Sequence, residues 1–212
     1  MTRRPEFALM GINMNSVRSY SMNVRAARAE QTRRRIVAAT IELALSRPLA
    51  ACTLPAIAER AETTVQTILR SFGSRDALFA AAVEAAEGEV VAERTVDPAD
   101  VAGSLAALVD HYERVGDGML LLGGQETSEP LASRITTEGK AVHRAWVERL
   151  FAPTLASVPG PRRAEAVDLL VAATDLSAWK LWRRDAGRSP AETLARFTAL
   201  VSAVVARLEA GL

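Results

Sequence analysis

A short polar interruption inside a helix-forming stretch limits the fold of this chain more than any other feature. Residues 54–61 and 65–72 each place apolar side chains at helical spacing, and only residues 62–64, Glu-Thr-Thr, separate them. Two short helices joined by so short a turn form a helix-turn-helix, a unit whose second helix can enter the major groove of DNA. The interruption therefore predicts a helical head that binds double-stranded DNA.

The rest of the chain carries helical rather than strand-like patterns. Aromatic residues make up only 5% of the sequence, apolar residues make up 49%, and no stretch alternates strictly between apolar and polar residues. We expect an all-α protein of about nine helices, in which an N-terminal three-helix head precedes a C-terminal helical domain.

Proline and hydroxyl residues predict where the first helices begin and end. A first helix should start near Arg25 and run to Ser46, because Pro48 cannot continue it. Thr53, Thr64 and Ser74 stand where a side-chain oxygen can cap the three helices that follow.

Glycine and proline also predict breaks in the C-terminal part. Residues 116–126 (GDGMLLLGGQE) predict a break that contains a short helix, and residues 152–161 (APTLASVPGP) predict a loop. Two long helices should follow, one from about Arg162 to Asp185 and the last from Pro190 to Glu209.

Charge and periodicity divide the chain into three parts. Residues 1–24 lack helical periodicity and are expected to be a disordered arm or extension. Residues 1–75 hold 12 Arg and 5 acidic residues, a net charge of +7, whereas residues 76–212 hold 14 basic and 20 acidic residues, a net charge of −6. We therefore expect a basic DNA-binding domain at residues 25–75 and a second, mildly acidic domain at residues 76–212.

The sequence lacks the residues that several classes of protein require. Cys52 is the single cysteine, so no internal disulfide can form, which fits a reducing cytoplasm. No run of 18 apolar residues occurs, and no membrane partner is expected. His111 and His143 are the only histidines, and HExxH, CxxC and GxSxG spacings are absent. We expect no metal, cofactor or catalytic residue, and an all-α enzyme is the least favoured alternative.

Side chains on the second helix of the head match those that contact DNA. A Gln amide can bond an adenine edge, Val and Thr methyl groups can contact a thymine methyl, and hydroxyl and Arg side chains suit phosphates. The predicted core of the head is Leu54, Ile57, Ala58, Ala61, Ile68 and Phe72. The predicted DNA contacts are Thr53, Thr64, Val65, Gln66, Thr67, Arg70, Ser71 and Arg75.

The head resembles the DNA-binding segment of the tetracycline-repressor (TetR) family. The similar stretch is TLPAIAERAETTVQTILRSFGSRDALF, residues 53–79. Residues 57–59, Ile-Ala-Glu, match the apolar-Ala-Glu that precedes the turn in this family, Thr67-Ile68 match its Thr-apolar pair, and Phe72 matches the Phe that closes its recognition helix.

Two positions depart from the family pattern. Glu62 stands where the family usually has Gly, and Leu69 stands where it commonly has Tyr. A left-handed conformation costs a residue other than Gly roughly 1–2 kcal/mol. The turn is therefore expected to be less favourable here than in the usual family sequence.

The resemblance implies a ligand-responsive transcription regulator, with a repressor favoured. In this family a homodimer binds a palindromic operator, and a small-molecule effector held among the helices of the second domain releases it. The helices that line pockets in relatives imply six candidate ligand contacts. They are His111, Tyr112, Met119, Gln125, His143 and Trp146.

The last two predicted helices indicate where two copies would meet. The helix from about Arg162 to Asp185 is apolar on more than one face, so a second copy should cover it. The resemblance implies dimerisation through the same helices. The predicted interface is Leu170, Trp179, Phe197, Val201, Val204 and Leu208. A helical small-molecule-binding protein whose head no longer binds DNA is the second hypothesis.

Overall fold

The computed structural model describes residues 14–94 and 97–210, with side chains from residue 25 onward, and all regular structure in these ranges is helical. The helices are α1 (Met14–Ser46), α2 (Leu54–Arg60), α3 (Val65–Phe72), α4 (Arg75–Glu93), α5 (Val101–Gly123), α6 (Pro130–Leu150), α7 (Ala152–Ala156), α8 (Gly160–Thr174), α9 (Leu176–Lys180) and α10 (Pro190–Glu209). A 3₁₀ turn spans Leu49–Ala51, and a π-helical turn, Leu181–Asp185, continues α9. The all-α prediction is confirmed.

Side-chain caps begin the helices at the predicted positions. Thr53 and Ser74 each accept a hydrogen bond from the backbone N–H three residues ahead, at 3.3 and 3.1 Å. Ser189 and Glu192 form a reciprocal capping box at the start of α10. Each cap satisfies an N–H group that has no partner inside its own helix, which is why these hydroxyl positions mark helix starts.

The first helix is longer than predicted. It begins at Met14 rather than near Arg25, so residues 14–24, which were expected to belong to a disordered arm, continue α1. Residues 14–24 contain neither Pro nor Gly, and therefore nothing in them ends a helix. The remainder of the predicted arm, residues 1–13, lies outside the described residues.

The glycine-rich stretch at residues 116–126 was wrongly predicted to break a helix, because α5 continues through it to Gly123. A β-carbon on Gly116 would lie 2.6 Å from the ring of Trp179. One on Gly118 would lie 2.6 Å from the carbonyl oxygen of Leu45. These two glycines therefore allow α9 and α1 to approach α5 closely, and they are packing positions rather than breaks.

Two further boundaries differ from the prediction. Residues 152–161, predicted to be a loop, contain α7 and the start of α8, and Pro153 fits because it lies in the first turn of α7. The long helix predicted from Arg162 to Asp185 is interrupted at Asp175, whose backbone is extended. The Asp175 carboxylate accepts the Ser177 N–H at 2.8 Å, so it caps a new helix instead of continuing α8.

The apolar core of the head extends into the second domain. Ile36, Ile57 and Ile68 form its centre, and Leu122 of α5 and Leu131 of α6 belong to the same cluster. The head is therefore packed directly on the helices that follow it. Of the predicted core residues, Ile57, Ala58, Ala61 and Ile68 are buried, and Leu54 and Phe72 are half-buried against them.

Candidate nucleic-acid interface and internal cavity

Main-chain hydrogen bonds close the turn between α2 and α3 around Glu62. Glu62 has a φ of 49°, the single positive φ of a non-glycine residue in the described ranges. Its N–H donates to the Glu59 carbonyl at 3.1 Å, and the Thr63 N–H donates to the Ala58 carbonyl at 2.9 Å. This pair of bonds is the Schellman arrangement, which usually has Gly at its left-handed position. Glu62 therefore carries the conformational cost that Gly would avoid.

Thr64 starts α3 and fixes how the helix is presented. Its Oγ1 accepts the Thr67 N–H at 3.1 Å and lies 3.0 Å from Thr67 Oγ1. Ile68 is fully buried, whereas Gln66 and Arg70 are exposed and make no hydrogen bond or ion pair within the described part of the chain. Thr53 and Thr64 are exposed as well, and Val65, Thr67 and Ser71 are half-buried. The polar groups of α3 are thus available to a partner outside the chain.

Arg75, one of the predicted DNA contacts, is bound to its own domain. Its Nη2 donates to the Leu49 carbonyl at 3.0 Å, and its Nε donates to the Cys52 carbonyl at 3.4 Å. The guanidinium also packs over the Phe79 ring, 4.6 Å from the centroid. Arg75 therefore ties α4 to the 3₁₀ turn, and a phosphate contact from this residue stays a prediction.

Arg33 of α1 lies beside the end of α3 and was missed in the sequence analysis. Its Nη1 donates to the Ser71 carbonyl at 3.1 Å, and its guanidinium carbon lies 4.2 Å from the centroid of the Phe72 ring. The one signal was the arginine run at residues 33–35, which a helical pattern treats as a solvated face. The contact places a cation next to the surface of α3.

A cavity of about 680 Å³ lies where the head meets the second domain. Its walls come from α1 and α4 as well as from α5, α6 and the junction between α8 and α9. Its size falls in the range of small-molecule sites, roughly 300–1,000 Å³. The apolar residues of its wall include Ile41, Phe79, Val90, Val115, Leu120 and Ile135. A molecule held here would contact helices of both domains.

Polar side chains of the wall are linked by short hydrogen bonds. The Tyr112 hydroxyl donates to the Thr174 carbonyl at 3.0 Å. His143 Nε2 lies 3.1 Å from the Thr174 hydroxyl oxygen, and His111 Nδ1 lies 3.2 Å from Glu93 Oε2. These bonds hold the two imidazoles and the phenol in defined positions on the cavity wall.

Burial keeps both imidazoles neutral. Desolvation, followed by the nearby charge of Arg94, lowers the pKa of His111 and of His143 to about 4 in each case. Arg94 itself is only 7% exposed and lines the same cavity. Sequence reasoning missed Arg94, because an arginine at the end of a predicted helix resembles a solvated residue that interacts with the helix dipole.

A family model described as "Bacterial regulatory proteins, tetR family" matches residues 36–82. This range runs from the second half of α1, through the whole helix-turn-helix, into α4. Residues 36–82 are thus similar to the DNA-binding segment of the TetR family. The resemblance expected from residues 53–79 is confirmed by this match.

Solved structures agree with the TetR-family fold over most of the chain. A tetR-family transcriptional regulator from Streptomyces coelicolor has a TM-score of 0.64 at 18% identity, covering 85% of this chain and 89% of that one. A transcriptional regulator from Rhodococcus sp. Rha1 has a TM-score of 0.59 at 17% identity, covering 82% and 95%. Comparison with curated protein sequences finds no significant match. In the described ranges, no helix combines the length and apolar character that a membrane span requires.

Four of the six ligand contacts suggested by the TetR resemblance lie on the cavity wall. They are His111, Tyr112, Met119 and His143. Gln125 does not line the cavity, because its Oε1 accepts the Leu49 N–H at 2.9 Å and joins the second domain to the head. Trp146 does not line it either, because its ring is buried behind His143, with the two ring centroids 5.7 Å apart.

The residues predicted for a TetR-type dimer interface are mostly buried inside one protomer. Leu170, Trp179, Phe197, Val201 and Leu208 belong to the core of the second domain, and Val204 is half-buried against it. The apolar faces of α8 and α10 cover one another and α5 within one protomer, and a role of these six side chains in dimerisation stays a prediction. The exposed leucines nearby are instead Leu169 and Leu200, each 39% exposed, and Leu181, 55% exposed.

Proposed function

We propose that this protein is a cytoplasmic, ligand-responsive transcription regulator of the TetR type, acting as a repressor. A homodimer would bind a palindromic operator and leave it when a small-molecule effector occupies the cavity. The observation that carries the proposal is the composition of the cavity wall, which includes α1 of the head and α4, the helix that follows the head, together with α5 and α6.

Helix α4 supplies the coupling between effector and DNA. One end of α4 follows α3 directly, with Gly73 between them at a φ of 80°. The other end reaches the polar part of the cavity at Arg94. The two recognition helices of a dimer must match half-sites roughly 34–36 Å apart. An effector that favours a tilted α4 therefore shifts the population toward a spacing that binds the operator weakly.

DNA recognition is assigned to α3, the helix that exposes polar side chains beside a cationic surface. Gln66 suits an adenine edge and Arg70 suits a guanine edge or a phosphate. Thr64 and the N-terminus of α3 suit a phosphate, since helix N-termini attract anions. Arg33 adds a positive charge beside the other end of α3.

Operator binding can be tested by fluorescence anisotropy with the DNA upstream of the gene at several salt concentrations. The wild-type affinity should fall steeply as salt rises, because phosphate contacts release counterions. Gln66→Ala and Arg70→Ala should each weaken binding by roughly 5- to 150-fold, with oligomeric state and helical content unchanged.

The matched control is Arg207→Ala, which removes an exposed arginine from α10, far along the chain from the head. Its operator affinity should stay within about twofold of wild type. An absence of binding at low salt, or an equal loss of affinity in the control and the α3 variants, would argue against a helix-turn-helix regulator.

A further inference from the structure

Arg94 places a buried positive charge at the C-terminal end of α4. It is the C-terminal cap residue of α4, with its N–H donating to the Val90 carbonyl at 2.9 Å. Only 7% of the surface of Arg94 is accessible to solvent, and the residue forms part of the cavity wall. An arginine stays protonated at neutral pH even when burial lowers its pKa, as it does here.

The two side chains that contact this guanidinium, those of His143 and Tyr112, are neutral. Its Nη1 lies 3.4 Å from His143 Nδ1, and its central carbon lies 5.3 Å from the centroid of the Tyr112 ring. The Thr174 hydroxyl donates to the Leu170 carbonyl at 2.8 Å, so His143 Nε2 carries the proton toward Thr174 and Nδ1 is left as an acceptor. The contact with His143 therefore offers a lone pair but no negative charge.

Three of the five carboxylates on the cavity wall, those of Glu93, Asp175 and Glu126, are bound to other groups. Glu93 Oε2 accepts from Arg114 and lies 3.2 Å from His111 Nδ1. Asp175 accepts the Ser177 N–H, and Glu126 pairs with Lys140 at 2.8 Å. Glu87 and Glu89 lie on the half-buried and exposed sides of α4. Among the described residues, no carboxylate forms an ion pair with Arg94, and its Nε has no hydrogen-bond partner.

A buried, unpaired charge is costly, and an anion that pairs with it recovers much of that cost. The walls around the cluster are apolar, with Val90, Val115 and Leu120 among them. We infer that the effector is a small carboxylate with an apolar body, whose carboxylate is held by Arg94. The inference rests on the proposed function only in calling the bound molecule an effector. Such an anion would attach directly to the end of α4.

Isothermal titration calorimetry with three probes of one chain length tests this inference without DNA. The probes are octanoate, octan-1-ol and octan-1-amine, and the protein is the full-length chain. Wild type should bind octanoate roughly tenfold or more tightly than octan-1-ol, and octan-1-amine most weakly. Arg94→Met should weaken octanoate binding by roughly 10- to 100-fold and leave octan-1-ol within about threefold.

The control variant is Arg207→Met, which removes an exposed arginine of α10 that does not line the cavity. It should change octanoate affinity by less than about threefold. The ranking of the three probes on wild type needs no variant, so it decides the question even if Arg94→Met does not fold.

Three results would overturn the inference: equal binding of octanoate and octan-1-ol, tighter binding of octan-1-amine, or no binding of octanoate. Binding of octan-1-ol without a preference for octanoate would leave the cavity as an effector site of another chemistry. The operator titration is a separate measurement, so a failure to bind DNA and a failure to prefer a carboxylate are distinguishable.

Discussion

At the scale of single residues, the turn of the helix-turn-helix is held in place against a local preference. Glu62 adopts a φ of 49° because the Schellman bonds at both its N–H and that of Thr63 need a left-handed residue at this point. The surrounding contacts supply the compensation, since Ala58 and Ala61 are buried at the end of α2 and Ile68 is buried in the middle of α3. The turn is thus determined by packing on both sides of an unfavourable residue.

Replacing Glu62 tests this balance directly. Glu62→Gly should raise the free energy of unfolding by about 1 kcal/mol, because glycine adopts the left-handed conformation without a steric penalty. Glu62→Ala is the control, since it removes the same charge but keeps the β-carbon, and it should give no comparable gain. Urea unfolding followed by circular dichroism measures both variants, and an equal gain in the two would assign the effect to charge instead of strain.

At the scale of helices, close approach explains the glycines of α5. The helix crosses both α1 and α9 at points where a side chain does not fit, as the short distances from Gly118 to Leu45 and from Gly116 to Trp179 demonstrate. Acidic residues of α5 strengthen the contact with the π-helical turn: Glu113 pairs with Arg183 at 2.6 Å, and Asp117 pairs with Arg184 at 2.7 Å. The glycines and the ion pairs together set how α5 packs.

Alanine substitutions separate packing glycines from ordinary helical ones. Gly118→Ala should lower the free energy of unfolding by roughly 1–3 kcal/mol, because the new methyl group would meet the backbone of Leu45. Gly88→Ala on α4 is the matched control, since nothing lies within 4 Å of its β-carbon position. That change should raise stability by roughly 0.4–1 kcal/mol through helix propensity. A neutral or stabilising effect at Gly118 would contradict the close contact.

At the scale of the whole molecule, two connected cores surround one cavity. The head core takes in Leu122 and Leu131, Gln125 bonds to the 3₁₀ turn, and the cavity opens between these connections. A ligand in the cavity would therefore contact α4 directly. The proposed function uses this arrangement, because occupancy of the cavity would change the position of α3.

Association of two protomers belongs to the same scale and has its own test. If the proposed homodimer forms through the exposed leucines of α8 and α10, Leu169→Glu and Leu200→Glu should each raise its dissociation constant roughly a hundredfold or more, because two-fold symmetry places every substitution in the interface twice. Both side chains are partly exposed, so helical content should be retained.

Val91→Glu serves as the control, since Val91 is 56% exposed and lies on α4 instead of on α8 or α10. Light scattering after size-exclusion chromatography reports the mass of each variant. A dimer that survives both leucine changes would place the interface on another surface. Val201→Glu is unsuitable for this purpose, since Val201 is 3% exposed in the protomer and the change would disturb folding.

Features that depend on neighbours in sequence could be predicted from the residues alone. The helix starts at Thr53, Thr64, Ser74 and Ser189 follow from hydroxyl oxygens that reach amides three residues away. The helix-turn-helix and the all-α fold follow from apolar spacing within a few turns. These features depend only on residues that are close together in the sequence, so the sequence alone is enough to predict them.

Features that depend on distant neighbours could not be predicted in this way. Gly118 marks a contact because Leu45 lies against it, and a sequence pattern presents the same glycine as a break. Arg75 and Gln125 turn toward the 3₁₀ turn, and Arg94 becomes a buried charge, because of residues many turns away. Burial and pairing are properties of the packed chain, and for that reason the cavity and its cation emerged only from the three-dimensional structure.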